Sequence, residues 1–282
     1  MTEARVVVVV PCYLEAERLA PSAFLDFLSP RPWLTFLFVD DGSEDGTSGV
    51  LASIQAACPA QVRVHRQAAN SGKGEAVRAG VLEASRLQPD YVGFWDADLA
   101  TPLSAIDDFV ALAGHRPDLD VLIGSRVNLM GRRIQRSPAR HYVSRVFATA
   151  ASLALDLPVY DTQCGAKLFR TSPEVLGVFA DRFRSRWIFD VEILERYLAL
   201  PAPDGGVPRR ARIYEVALRE WHEVAGSKLT MRDFLWSFVE VVGVWRRRVA
   251  RRASSTSLTG AGEQRNTKGG TPKGASRALL LL

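Results

Sequence analysis

The sequence predicts an α/β fold, a doubly wound and mostly parallel central sheet with flanking helices, built as a single domain. Three observations predict it. Short apolar runs suited to buried parallel strands recur through the first half. Segments with helical spacing of apolar residues stand between them. The chain's 282 residues, 47% of them hydrophobic, suffice for one full core.

In chain order, strands are expected over residues 5–10, 34–39, 61–65, 91–95 and 121–125, and helices over 15–28, 45–57, 74–87 and 104–113. In such a sheet ligands bind beyond the C-terminal ends of the strands. The acids of interest in the first half lie at those ends: Glu15 after the first strand, Asp40 and Asp41 after the second, Asp96 and Asp98 after the fourth. From about residue 126 the pattern changes. An arginine-rich loop leads to a helix over 141–157, a short strand over 166–170, a helix over 189–200 and a strand over 212–218. These read as a second half built on the same sheet. Met231, Phe234, Leu235, Phe238, Val242, Trp245 and Val249 then fall on one helical stripe that runs into Arg246–Arg248, Arg251 and Arg252. Residues 1–252 therefore read as one domain ending in a basic amphipathic helix (about 231–252). Ser, Thr, Gly and scattered basic residues over 253–282 read as a disordered tail.

The formal charge is +5, with arginines concentrated in the second half. That asymmetry calls for an anionic partner: nucleic acid, phospholipid or a phosphorylated acceptor. No aromatic-basic stacking pattern accompanies the arginines, so no nucleic-acid partner is expected. Three widely spaced cysteines, Cys12, Cys58 and Cys164, match neither a disulfide framework nor a zinc site and fit a reducing, cytoplasmic setting. The valine run before Pro11 is too short for a signal peptide or a membrane span, and the stretch 146–157 is interrupted by Thr149, Ser152 and Asp156. Membrane contact is expected to be peripheral.

Asp96 and Asp98 end the fourth apolar run. A strand sends alternate side chains to one face, so the two carboxylates are expected to point the same way, where they repel unless a cation such as Mg²⁺ or Mn²⁺ joins them to a phosphorylated substrate. The plainer alternative is that they cap the helix starting near Ser104. Asp40-Asp41-Gly42-Ser43-Glu44-Asp45-Gly46-Thr47 fails as a calcium loop because its twelfth position is Ala52. It suits a helix-capping turn, or an acceptor for a nucleobase or ribose. Asn70-Ser71-Gly72-Lys73-Gly74 lacks the Walker spacing, yet a lysine between glycines at a helix N-terminus suits a phosphate or sugar hydroxyl; turn chemistry explains the glycines equally. Arg126, Arg132, Arg133, Arg136, Arg140 and Arg145 put six guanidinium groups within twenty residues, a pattern for phosphate or for a solvated basic surface. Residues 161–167 and 186–192 are polar-aromatic sequences of a kind that lines pockets. The four histidines show no metal spacing.

Taken together, Pro11-Cys12-Tyr13-Leu14-Glu15, Val39-Asp40-Asp41-Gly42-Ser43, Asn70-Ser71-Gly72-Lys73-Gly74, Asp96-Ala97-Asp98 and Gly124-Ser125-Arg126 resemble the inverting family 2 glycosyltransferases of GT-A fold. Asp161-Thr162-Gln163-Cys164-Gly165, Arg186-Trp187-Ile188-Phe189-Asp190 and Gly226-Ser227-Lys228-Leu229 resemble the dolichyl-phosphate β-glucosyltransferase branch. The resemblance spans roughly residues 5–245. It implies that Pro11, Tyr13, Glu15, Asp40 or Asp41, Lys73, Asp96 and Ala97 bind the donor, with UDP-glucose favoured. It implies that Asp96 and Asp98 form the metal-binding pair, with Asp98 on the Mg²⁺ or Mn²⁺. Arg126, Arg140, Gln163 and Lys228 would bind a polyprenyl-phosphate acceptor, and Asp190 would complete the catalytic set with Asp96 and Asp98.

Two departures bear on this. Leu14 stands where many relatives carry Asn, and Ala100 where many lipid-phosphate mannosyl enzymes carry Gln, which favours the glucosyl branch. Eukaryotic members usually begin with a membrane anchor; without one, docking at the cytoplasmic face of a membrane would fall to the Trp236/Trp245 helix and its arginines. A phosphate monoester is largely dianionic at neutral pH and needs positioning more than a base, whereas a hydroxyl acceptor would need a base such as Asp190. The other readings are a related transferase using GDP-mannose or a non-lipid acceptor, an aspartyl phosphohydrolase, and an inactive nucleotide-sugar or lipid-binding protein.

Overall fold

The computed structural model describes residues 4–136, 138–203, 206–224 and 236–251, with backbone alone for 138–141. Its main sheet has seven strands in the order β3-β2-β1-β4-β7-β5-β8. They are β1 (Val6–Cys12), β2 (Leu34–Asp40), β3 (Val62–Arg66), β4 (Tyr91–Trp95), β5 (Val121–Ser125), β7 (Ala166–Arg170) and β8 (Ile213–Ala217). Neighbouring pairs β1–β2, β1–β4, β2–β3 and β5–β8 are parallel. β7 enters between β4 and β5 and runs antiparallel to both.

The valine run shows why β1 is central. Its β-branched side chains suit extended backbone, and Val6 through Val10 are all buried. Alternation divides them. Val7 and Val9 join the core beneath α3 (Lys73–Ser85), α5 (Pro138–Leu155) and α7 (Phe189–Leu198). Val6, Val8 and Val10 join the core beneath α1 (Pro21–Leu28), α2 (Thr47–Ala57) and α4 (Ala105–His115). Each such valine contributes about 1.5–3 kcal/mol of burial free energy.

Strands β4, β5 and β7 match the expected spans, and the first helix is the clearest departure. α1 begins at Pro21 and not near residue 15. Residues 13–20 instead form a loop in which Leu14 has φ +53, with Leu14 N–H donating to Ser43 Oγ and Glu15 N–H to Thr47 Oγ1. Those side-chain acceptors outcompete the helical spacing.

A two-stranded parallel sheet, β6 (Arg133–Gln135) with β9 (Glu220–His222), and the short α6 (Pro173–Gly177) had no counterpart in the expected elements. Residues 236–251 form a last helix, α8. Phe238 packs edge-on against Phe147 of α5 at 5.7 Å, and Val241 and Val244 are buried. Trp236, Val239, Val242, Trp245 and Val249 are exposed. The stripe expected from spacing is therefore divided: Phe238 faces the core while Val242, Trp245 and Val249 face out. The beginning of that predicted helix, Gly226–Leu229 and the tail 253–282 lie outside the described residues.

Candidate active site

The loops beyond the C-terminal ends of β1, β2 and β4 are fastened to one another. The Asp45 carboxylate accepts the N–H groups of Thr47 and Ala16, so the turn after β2 holds the loop after β1. Asp40 is fully buried and turned into its own turn, accepting Ser43 N–H and Ser48 Oγ–H. Asp41 faces the other way. Its two oxygens accept the N–H groups of Ser71 and Gly72, both at 2.8 Å, and so shape the loop before α3. Burial pushes the Asp41 carboxyl above its usual range, against the pull of those two N–H groups. Gly72 has φ +93, and a Cβ there would stand 2.9 Å from Arg186 Nε.

Asp96 and Asp98 stand in the turn just past β4, which ends at Trp95. They do not cap α4. Asp98 Oδ1 accepts Ala100 N–H at 3.1 Å, and Ser104 at the helix start makes no side-chain cap. Lys73 Nζ lies 2.5 Å from Asp96 Oδ1 and is the positive charge facing that carboxylate. Burial pushes the Asp98 carboxyl up and the nearby Asp96 charge adds to it. Burial alone would lower the Lys73 ammonium, but Asp96, Asp190 and Asp98 outweigh it and raise it. Ala97, between the acids, turns its methyl into the core at 5% exposure.

Glu15 joins the same edge, with Arg18 Nη2 2.5 Å from its Oε1, and the Arg18 charge also reaches Asp98. Pro11 is half-buried near the end of β1, and Tyr13 is half-buried in the loop that follows.

On the far side of Asp96 the chain 161–165 approaches closely. Gly165 O accepts Asp96 N–H at 3.1 Å, and a Cβ on Gly165 would fall 2.0 Å from Asp96 Oδ2. Asp161 takes Arg126 in a forked pair, Nε at 2.6 Å and Nη2 at 2.8 Å. Burial favours the neutral acid, yet Arg126 holds the Asp161 carboxyl down at about 2. Arg126, Arg136, Arg145, Tyr160, Asp161 and Gln163 line one pocket. Arg126 and Arg136 lie 5.4 Å and 5.9 Å from the Trp221 ring centroid, and Arg145 lies 3.6 Å from that of Tyr160. The Arg140 side chain and Lys228 lie outside the described residues.

Asp190 opens α7 and pairs with Lys167 Nζ at 2.5 Å. Lys167 is fully buried in β7 and also donates to Cys164 O at 2.7 Å. Among the residues proposed from sequence, Glu15, Asp41, Lys73, Asp96, Asp98, Asp190, Arg126 and Gln163 come to one edge of the sheet, while Asp40 and Ala97 turn inward. Arg18, Lys167 and Trp221 were not singled out. A lone lysine amid Ala166, Leu168 and Phe169 was the available signal for Lys167, since a buried ammonium needs a carboxylate.

Two part-buried carboxylates that share one turn suit a hard divalent cation, with the Lys73 ammonium standing beside one of them. Among the described residues no third acid, His or Cys joins them, so phosphate oxygens or water would have to supply the other ligands.

The fold resembles that of glucosyl-3-phosphoglycerate synthase from Mycobacterium tuberculosis, solved with Mn²⁺, UDP-glucose and glycerol 3-phosphate. The match has a TM-score of 0.59 at 18% identity and covers 87% of this chain and 80% of that one. A dolichyl-phosphate beta-glucosyltransferase of Drosophila melanogaster is 37% identical over 265 residues, covering 85% of this chain and 76% of the fly protein. One of Saccharomyces cerevisiae is 32% identical, covering 79% and 69%. The model of the family described as Glycosyl transferase family 2 matches residues 7–175. Fold and site thus define a glycosyltransferase of GT-A architecture. Within that class the chain belongs to glycosyl transferase family 2.

Proposed function

We propose that this chain transfers glucose from UDP-glucose to a polyprenyl phosphate of the dolichyl type, inverting the anomeric carbon, at the cytoplasmic face of a membrane. The observation that carries the reading is the adjacency of an acid pair and an arginine-lined pocket. Asp96 bonds to Gly165, two residues past Gln163, which lines the pocket with Arg126, Arg136 and Arg145. A nucleoside diphosphate at the acids and a phosphate at the arginines would then lie side by side. The relatives' activity, glucosyl transfer to dolichyl phosphate, supports glucose and the lipid acceptor.

Asp98, with Asp96, would hold Mg²⁺ or Mn²⁺, which when bound supplies a Lewis acid and a template for the diphosphate. Lys73, at the N-terminus of α3, adds a positive charge on the same side. Asp41 orders the loop before Lys73, and Glu15, Tyr13 and Pro11 border the place for the nucleoside. Arg126 is oriented by Asp161, and Arg136 and Arg145 by aromatic rings, so three guanidinium groups are preorganised for an acceptor phosphate. That phosphate is already nucleophilic at neutral pH, so its attack needs no protein base. Asp190 is engaged with Lys167 and serves to order the site. No helix among the described residues is long and apolar enough to cross a membrane. α8 offers Trp236 and Trp245 with the exposed Arg246 for peripheral attachment.

The test incubates the purified protein with Mg²⁺ or Mn²⁺, a short polyprenyl phosphate, and UDP-glucose or GDP-mannose in parallel. Lipid-linked glucose from UDP-glucose is the expected product. Lipid-linked mannose instead would replace the donor. Metal-dependent UDP release without lipid product would retain the transferase and discard the lipid acceptor. No turnover in any mixture would favour a binding protein.

A further inference from the structure

The loop 184–188 leads into α7 and is held from two sides. Glu192 Oε2, one turn into α7, accepts the N–H groups of Arg184 at 2.9 Å and Ser185 at 3.2 Å. Ser185 Oγ accepts the N–H groups of Trp187 at 3.1 Å and Ile188 at 2.8 Å, and donates its own proton to Glu240 Oε2 at 2.6 Å. Glu240 belongs to α8. That helix is clamped to α7 again further along, where Glu195 receives Arg247 through both oxygens and Arg251 at 2.6 Å.

Packing anchors one side of this loop, where Ile188 is buried in the core and Trp187 packs against it. A cavity of about 120 Å³ separates it from α8, lined by Arg184, Ser185, Ile188, Glu192, Glu240 and Arg247. Hydrogen bonds to Glu192 and Glu240 fix the other, polar side of the loop. A carboxylate is well suited, because a charge-assisted bond from Ser185 polarises the hydroxyl oxygen that receives the two backbone N–H groups. Two side chains at the edge of the candidate site depend on the loop. Arg186 Nη2 reaches Asn70 Oδ1 at 2.7 Å beside Gly72, and Asp190 reaches Lys167.

We infer that Glu240 is a positioning residue: acting through Ser185, it sets where Arg186 and Asp190 stand against the loop that carries Lys73. The geometry of the site then depends on how α8 is seated, and α8 is the helix whose opposite face exposes Trp236, Val239, Val242, Trp245 and Val249. In its kinetic arm the inference rests on the glucosyl-transfer reading above; in its structural arm it does not.

The test compares full-length Glu240→Ala and Glu240→Gln, the latter keeping an acceptor oxygen at the same reach. In Glu240→Ala, amide hydrogen exchange over 184–190 is expected to speed up about tenfold or more while α3 and β4 are unaffected. Transfer kcat is expected to fall about 10- to 100-fold with the KM for UDP-glucose within about twofold, the signature of a misplaced group and not of lost binding. Glu240→Gln restores both. Ser185→Ala removes the link from its other end together with the acceptor of the Trp187 and Ile188 N–H groups, so exchange there is expected to speed up at least as much. If Glu240→Ala does not fold, Glu240→Leu, which keeps the bulk without an acceptor, takes its place. Unchanged exchange in Glu240→Ala and Ser185→Ala overturns the inference, and so does equal acceleration in Glu240→Gln and Glu240→Ala. A wild-type protein that makes no lipid-linked glucose overturns the proposed function only, since the exchange measurement still decides the role of Glu240.

Discussion

Lys73 Nζ lies 2.5 Å from Asp96 Oδ1, joining the first residue of α3 to the turn that follows β4. A cation at a helix N-terminus is opposed by the helix dipole. Burial opposes it too, but Asp96, Asp190 and Asp98 outweigh the burial and raise the Lys73 pKa. The site is thus a cluster of acids in which Arg18, Lys73 and Lys167 each hold a carboxylate.

Asp98→Asn keeps the shape of the side chain and an oxygen to accept Ala100 N–H, and removes only the charge. Transfer is expected to fall by about 100-fold or more, with the thermal midpoint and circular dichroism unchanged. Full activity in this variant would sink the metal assignment.

Gly165→Ala tests the close approach of the two halves of the site. The added methyl would fall 2.0 Å from Asp96 Oδ2, so Asp96 or the 161–165 segment must move. Overpacking of this kind costs about 1–3 kcal/mol, and a displacement near 1 Å costs about 100-fold in rate. Urea denaturation and initial rates together check it; an active, equally stable variant would show that Asp96 has room to spare.

Asp161 provides a pH dependence. Its folded-state pKa is about 2 because of Arg126, against about 3.9 in an unfolded chain. A depressed carboxyl stabilises the fold above the unfolded value and loses that contribution as pH falls through the folded one. The pair therefore contributes about 2 kcal/mol at neutral pH that fades between about pH 4 and pH 2. Asp161→Asn leaves Arg126 unpaired and is expected to cost about 3–5 kcal/mol at pH 7. The gap between variant and wild type narrows over the same acid window, as urea midpoints across pH would record. A constant gap would assign the role to another group.

Trp236→Ser with Trp245→Ser removes the two exposed indoles of α8. Binding to anionic vesicles in a flotation assay is expected to drop about tenfold, while turnover on a short, detergent-dispersed acceptor changes little. Undiminished flotation would place the membrane contact elsewhere on the protein.

Much of this architecture could be read before any fold was known. Strands 91–95, 121–125 and 166–170 were legible because each is a short apolar run ended by Asp, Gly or a basic residue, a signal carried by neighbours within a few positions. The motifs after β1, β2 and β4 were legible for the same reason, since turns and strand ends draw on a small set of residue types. α1 was misjudged at its start because Ser43 and Thr47, about thirty residues on, capture the backbone of 14 and 15.

Local patterning thus carried most of the element types and, through the motifs, the family. It could not carry partners. The antiparallel seat of β7 between β4 and β5, the pairing of Asp190 with Lys167 and of Asp161 with Arg126, and the inward turn of Asp40 all depend on which loops the strand order brings together. The two apolar faces of α8 were equally hidden, because helical spacing gives a direction only relative to a neighbour, and that neighbour is α5, whose Phe147 lies far back in the chain. A charge or a face acquires its role from groups that only folding brings within a few ångströms.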